Sequence, residues 1–185
     1  MPSPETVVML LSYATLAGDG ILLLFVLLLL AEAAGMKKRP CTFTILFDRH
    51  GLLLLFIIAL VATSGSLYFS EGAGWIPCKL CWFQRVFMYP QVPLVGLALW
   101  RRDRGIAPSV LLFCLIGMCF SLWHYGEQVY YNLHPELITT CDPTGVSCVN
   151  SQILAFGYIT IPMMAFTAFA LNALISFRLM RRSAA

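Results

Sequence analysis

Charge is scarce in this chain, and the scarcity excludes an ordinary soluble domain. Asp, Glu, Lys and Arg make up 11% of its 185 residues, against about 25% in soluble proteins. Apolar residues reach 59% and the mean hydropathy is +0.81. So few polar groups cannot cover a water-facing surface, and the solvent must be largely lipid. The net charge is only +3, with no basic patch interleaved with aromatics, so nothing points to nucleic acid. Internal repeats are lacking, and low complexity is confined to the run Leu27–Leu30. A retained first helix stopped by Lys37-Lys38-Arg39 is expected in place of a cleavable leader. Pro2-Ser3-Pro4-Glu5 carries no basic residue, and the apolar stretch after it outruns the about 7–15 residues of a signal core. Ala31-Glu32-Ala33 resembles a cleavage site only faintly.

What is present is a series of apolar stretches. A hydrocarbon core of about 30 Å needs about 20 apolar helical residues, and spans are expected near 6–33, 51–69, 84–100, 108–127 and 153–177. The basic residues orient them. Lys37, Lys38, Arg39 and Arg49 separate the first two spans; Arg101, Arg102 and Arg104 separate the third and fourth; Arg178, Arg181 and Arg182 follow the fifth. These are ten of the twelve Lys and Arg residues, and the positive-inside rule puts that side in the cytoplasm, with the N-terminus outside. Trp75, Trp82, Trp123, Tyr125, Tyr130 and Tyr131 then fall at outer ends, where amphipathic rings form a membrane belt. Asp19, between Gly18 and Gly20, costs about 2.5–3.5 kcal/mol at a helix centre in lipid; it either packs on a neighbouring helix or marks a break.

Seven cysteines acquire meaning from this topology. Cys78 and Cys81 lie in the first outer loop, at the mouth of the third span, and Cys141 and Cys148 in the second. Cys114 and Cys119 lie within the fourth span, and Cys41 is cytoplasmic. Two cysteines in each outer loop therefore face an oxidising compartment. Pro77 precedes Cys78, and a helix beginning there turns free N–H groups and a partial positive charge toward the pair, which favours a thiolate. Arg85 is four residues beyond Cys81 and one turn deeper on the same face. It either pairs with an anion, such as a thiolate or a reduced quinone, or snorkels to lipid phosphate. The segment Cys141-Asp142-Pro143-Thr144-Gly145 carries type I turn residues. Such a turn brings Cys141 and Cys148 within disulfide reach, as a labile exchanging bond or as a loop staple. Cys114 and Cys119 are about 140° apart around a helix and read as small apolar residues. His124, between Trp123 and Tyr125, is near enough to assist a proton step or to serve as a hydrogen-bonded interfacial side chain. A four-cysteine zinc site needs all four loop thiols reduced and convergent, and no metal is expected.

Pro77-Cys78-Lys79-Leu80-Cys81-Trp82-Phe83-Gln84-Arg85, running on to Met88-Tyr89-Pro90, resembles the signature of the DsbB family of disulfide bond formation proteins, especially its BdbC-type branch. Phe156-Gly157-Tyr158-Ile159-Thr160-Ile161-Pro162 after Cys148, and Trp123-His124-Tyr125, are similar to segments of the same branch. The match covers about residues 45–180. It implies an all-α integral membrane protein, a four-helix transmembrane bundle over 41–185, with one extra N-terminal transmembrane helix and its basic loop over 1–40. It also implies a multi-pass protein of the bacterial cytoplasmic membrane whose redox loops face outward. The expected activity is reoxidation of a DsbA-like thioredoxin-fold thiol oxidase, with electrons passing to a membrane quinone, ubiquinone or menaquinone. By motif, Cys81 is the thiol that engages the quinone, Arg85 its cationic neighbour and Cys78 the partner cysteine. By loop order, Cys141 receives attack from the soluble oxidase and Cys148 links transiently to Cys78.

Three other readings compete. A vitamin K epoxide reductase-like enzyme places its loop cysteines before the CxxC pair, the reverse of the order here. A non-catalytic scaffold with stapled loops has no use for Arg85 beside a CxxC. A reductant conduit needs paired cysteines inside the membrane, which Cys114 and Cys119 do not provide.

Overall fold

The computed structural model describes residues 3–34, 42–134, 148 and 153–183. Helix α1 covers Pro4–Ala33, α2 Thr42–Leu67, α3 Lys79–Met88, α4 Gln91–Arg101, α5 Ala107–Leu133 and α6 Ile161–Ser183. Four of these elements contain apolar stretches long enough to cross a membrane: Pro4–Leu28, Arg49–Gly72, Arg104–Leu133 and Ile161–Arg181. The third expected span is built differently. It is split into α3 and α4 because Pro90 and Pro93 remove two backbone donors. Tyr89 and Pro90 nevertheless keep right-handed helical dihedrals, so the chain runs on for roughly 34 Å at 1.5 Å per residue. The apolar part, 84–100, follows a mouth formed by residues 79–83.

Two other boundaries shift. α2 continues past Leu67 as a π-helical turn, Tyr68–Gly72, and is kinked at His50. The last helix begins at Ile161, not near 153. Residues Ala155 and Ile159 instead close a tight turn by pairing with each other, with Phe156 and Gly157 at positive φ.

The core lies where α2, α4, α5 and α6 meet, around Leu55, Ala59, Val95, Val110, Cys114, Phe169 and Ile175. Gly117 lets α5 approach α6 closely: a Cβ there would overlap the Phe169 ring. Burying polar groups in this core requires that they satisfy one another. Gln91 accepts hydrogen bonds from Asn172 Nδ2 (3.0 Å) and more weakly from Cys114 Sγ (3.6 Å), and donates to the Phe87 carbonyl. Cys114 is buried while Cys119 is exposed, so the two do not share a face, as their spacing requires.

Helix α1 lies against α6 and is unbroken through Gly18-Asp19-Gly20. Asp19 packs on a neighbour: Thr167 Oγ1 donates to its Oδ1 at 2.7 Å and Tyr158 Oη to its Oδ2 at 2.9 Å. Two short hydrogen bonds to a carboxylate offset its desolvation.

Candidate functional site

Helix α3 begins at the cysteines because Pro77 cannot continue a ladder upstream and Cys78, extended at φ −71° and ψ 171°, takes the N-cap position. The CxxC spacing then puts both sulfurs on one side of the first turn. Their Sγ atoms are 3.1 Å apart, as thiols. Cys78 is buried and is also hydrogen-bonded to the side chain of Cys148, delivered by the segment before α6. The first-loop pair and one second-loop cysteine therefore converge on Cys78. Cys141 and Cys41 lie outside the described residues.

The three thiols differ in acidity. The hydrogen bond from Cys78 holds Cys81 below the ordinary thiol range; burial opposes this and the Arg85 guanidinium adds a smaller lowering. At Cys78, the contact with Cys148 acts to lower, but the bond to Cys81 and burial outweigh it and push the thiol up to about 11. Cys148 is raised, first by its hydrogen bond to Cys78 and then by burial. Alkylation of the reduced protein is therefore expected to map to Cys81 before Cys78 at neutral pH. A raised thiol gains thiolate only as pH climbs toward its own value, so the preference should narrow toward pH 11. Mass-spectrometric mapping across a pH series checks it, and equal modification at pH 7 would contradict the ordering.

His124 closes the site from α5. It is only 2% exposed. Gln84 Nε2 lies 3.1 Å from its Nδ1, and its Nε2 lies 3.1 Å from the Cys148 carbonyl and 3.7 Å from Cys78 Sγ. An amide N–H donated to Nδ1 leaves the ring proton on Nε2, directed at the Cys148 carbonyl and beside the Cys78 sulfur. Gln128, one turn further along α5, reaches the same carbonyl at 3.5 Å. The donor atoms of Cys78, Cys81 and His124 all lie within 4.8 Å of one another, near enough to share a soft cation while both thiols are reduced. That donor set differs from a four-cysteine site.

Arg85 turns inward. Its NH2 donates to the Ser66 carbonyl at 3.0 Å, where α2 approaches its π-helical end. Its guanidinium lies 5.3 Å from the Trp82 ring centroid and 5.8 Å from that of Tyr89. It does not snorkel outward. Cys78, Cys81, Gln84, Arg85, His124, Gln128 and Cys148 share the lining of one cavity of about 300 Å³. Away from these groups its walls are mainly apolar, supplied by α1, α2, α6 and the stacked pair Phe69 and Trp75, with Thr15, Ser66, Tyr89 and Thr167 also in the lining. Two buried polar atoms of the lining, Arg85 Nε and Gln128 Oε1, have no hydrogen-bond partner among the described residues.

Residues 48–179 match the family model described as disulfide bond formation protein DsbB. The chain belongs to the DsbB family. Among curated relatives it is 44% identical to disulfide bond formation protein C of Bacillus subtilis over 115 residues, covering 62% of this chain and 81% of that one. It is 42% identical to the probable disulfide formation protein C of Halalkalibacterium halodurans over 126 residues, covering 68% and 89%. A probable disulfide formation protein of Metapseudomonas resinovorans is 34% identical over 132 residues, 71% of this chain and 90% of that one. No solved structure matches the chain. This DsbB-family chain is thus a multi-pass membrane protein of disulfide formation, and the thiols, His124 and Arg85 all fall inside the matched region. Helix α1 lies outside it.

Sequence reasoning passed over Gln84, Gln128 and Ser66. The two glutamines had a signal: each is a costly amide in an apolar helix, three residues from Cys81 and four from His124 respectively, hence on their faces. Ser66 had none, since its contribution is a backbone carbonyl.

Proposed function

We propose that this protein reoxidises an extracytoplasmic DsbA-like thioredoxin-fold thiol oxidase and passes the electrons to a membrane quinone, ubiquinone or menaquinone. The observation that carries the reading is the position of Cys78, hydrogen-bonded to both Cys81 and Cys148 at the head of a cavity that Arg85 also lines. A thiol between two others is what a disulfide relay requires.

The exchange follows from the acidities. A thiolate of the reduced partner attacks Cys141 in a Cys141–Cys148 disulfide, forming a mixed disulfide and releasing Cys148. A thiol of lowered pKa leaves faster, and Cys81 is the lowered one. Cys148, released as a thiolate beside Cys78, therefore attacks Cys78 and expels Cys81. His124, with a nitrogen 3.7 Å from Cys78 Sγ, stabilises charge that passes through that sulfur. The partner's second thiol then attacks the mixed disulfide and departs oxidised, freeing Cys141. Cys141 attacks Cys148, restoring their disulfide and leaving Cys78 and Cys81 as the dithiol. Two electrons and two protons have moved from the partner to the CxxC.

The cavity residues suit a quinone. The volume, about 300 Å³, is at the low end of small-molecule pockets, about 300–1,000 Å³, and is adequate for a ring. Arg85 and Gln128, both in the lining, bring a guanidinium able to donate to a ring carbonyl and an amide able to accept from a ring hydroxyl. A bound quinone supplies the two-electron, two-proton acceptor that returns the CxxC to a disulfide. Arg85 also stabilises the Cys81 thiolate electrostatically. Purified protein mixed with a reduced thioredoxin-fold dithiol and excess quinone should form one partner disulfide per quinone reduced, over many turnovers. Partner oxidation that stops at the enzyme's own cysteine content, whatever the quinone concentration, would refute the reading.

A further inference from the structure

The cavity is not made by the bundle alone. Leu11, Ala14 and Thr15 of α1 contribute to its lining, opposite Ile57, Val61 and Gly65 of α2 and Thr167 and Leu171 of α6. We infer that α1 forms the lipid-side wall of the quinone cavity, and that Leu11, Ala14 and Thr15 set the fit of the quinone's apolar tail. This rests on the quinone reading above and adds a binding element that the family match, 48–179, does not contain.

The seating of α1 is specific. Its buried positions include Ser12, Thr15, Gly18 and Phe25, a stripe at helical spacing that begins with small residues, which permit close helix approach. A Cβ on Gly18 would come within 2.9 Å of Thr167 Cγ2 and 3.1 Å of Leu171 Cδ1, and one on Gly65 within 2.8 Å of Leu11 Cδ1. Helix α1 therefore touches both α6 and α2 at residues that line the cavity. Asp19 fastens it by accepting from Thr167 and Tyr158, and Tyr13 meets Phe156 edge-on at 5.3 Å. Phe156 has a φ of 52°, uncommon for a residue with a side chain, within the turn before α6 that the Ala155–Ile159 pairing closes. Tyr13 and Asp19 thus tie α1 to the turn before α6.

The cavity's polarity gives the ligand its direction. Polar groups cluster at the cysteine end, where Arg85 meets Ser66. From Ser66 down α2 to Ile57 the lining runs about 13 Å at 1.5 Å per residue, past apolar side chains. A ring fits at the polar end and an isoprenoid chain along the α1–α2–α6 wall.

Two readouts other than turnover test this with the full-length protein in lipid nanodiscs. A quinone carrying a diazirine on its isoprenoid tail, photolysed and mapped by mass spectrometry, should label residues 11–15, and competition by unmodified quinone should remove the label. Thr15→Phe should weaken quinone binding about tenfold by overfilling the wall, read as tryptophan quenching, whereas Leu16→Phe on the exposed face of α1 should leave it unchanged. Saturable label on α2, α3 or α6 with none on α1 overturns the wall and leaves the quinone reading standing. Absence of saturable label anywhere overturns both. If Thr15→Phe does not fold, the labelling of the unaltered protein still decides.

Discussion

Replacement of Cys81 by serine is expected to reduce quinone turnover below detection while leaving the protein folded. Serine cannot form a disulfide with Cys78, so Cys148 has no bond to open there and the CxxC stores no electrons. The companion variants stall elsewhere. Cys148→Ser leaves Cys141 a free thiol with no disulfide for the reduced partner to attack, so transfer should fail at its first step. Toward the oxidised partner, Cys141 should instead open the partner's disulfide and form a mixed disulfide, releasing one partner thiol. Cys78→Ser should let the second loop accept one pair of electrons and stop. Non-reducing gels with the reduced and with the oxidised partner, together with quinone absorbance, distinguish the three. A protein whose cysteines only staple its loops behaves otherwise: each substitution lowers stability, by about 2–5 kcal/mol for a lost native disulfide, and none traps a partner. Three variants with equal residual activity and differing only in thermal midpoint would exclude the relay.

Arg85→Ala is the second large effect. Hydrogen bonds to charged groups contribute about 1.5–3 kcal/mol, so loss of the guanidinium should raise the quinone concentration for half-maximal turnover by about 10–100-fold. Disulfide exchange with the soluble partner depends on sulfur contacts and should proceed at its usual rate in a single turnover. Arg85 also ties α3 to the Ser66 carbonyl, so some thermal destabilisation is expected as well. Arg85→Lys separates the two contributions. It keeps the charge but not the planar fork, and should recover part of the quinone affinity. An unchanged quinone requirement in Arg85→Ala, with only the melting temperature lowered, would reduce Arg85 to a helix tether.

Four of the five expected apolar stretches and the CxxC motif were legible in the sequence, because each is a property of neighbouring residues. Lipid demands about 20 consecutive apolar residues wherever a helix crosses, so 6–33, 51–69 and 108–127 foretold α1, α2 and α5 closely. Where two rules compete locally, the sequence was less decisive. The run near 153 was apolar enough for helix, yet Gly157 and the pairing of Ala155 with Ile159 delay α6 to Ile161. Arg85 on the face of Cys81 was also readable, since helical spacing alone puts it there.

Only the tertiary structure decided what meets what. Cys148 is 70 residues from Cys78, and the packing of α5 and α6, aided by Gly117 against Phe169, brings their ends together with His124 between them. Inward or outward was equally open for Arg85 until a carbonyl on another helix, Ser66, took its NH2. Asp19 is the plainest case. A lone carboxylate in an apolar run signals either a break or a partner, and its partners, Tyr158 and Thr167, lie 139 and 148 residues away. Local composition carries the cost of burying such groups, but the groups that offset it arrive from distant parts of the chain, and their positions are set only when the helices pack.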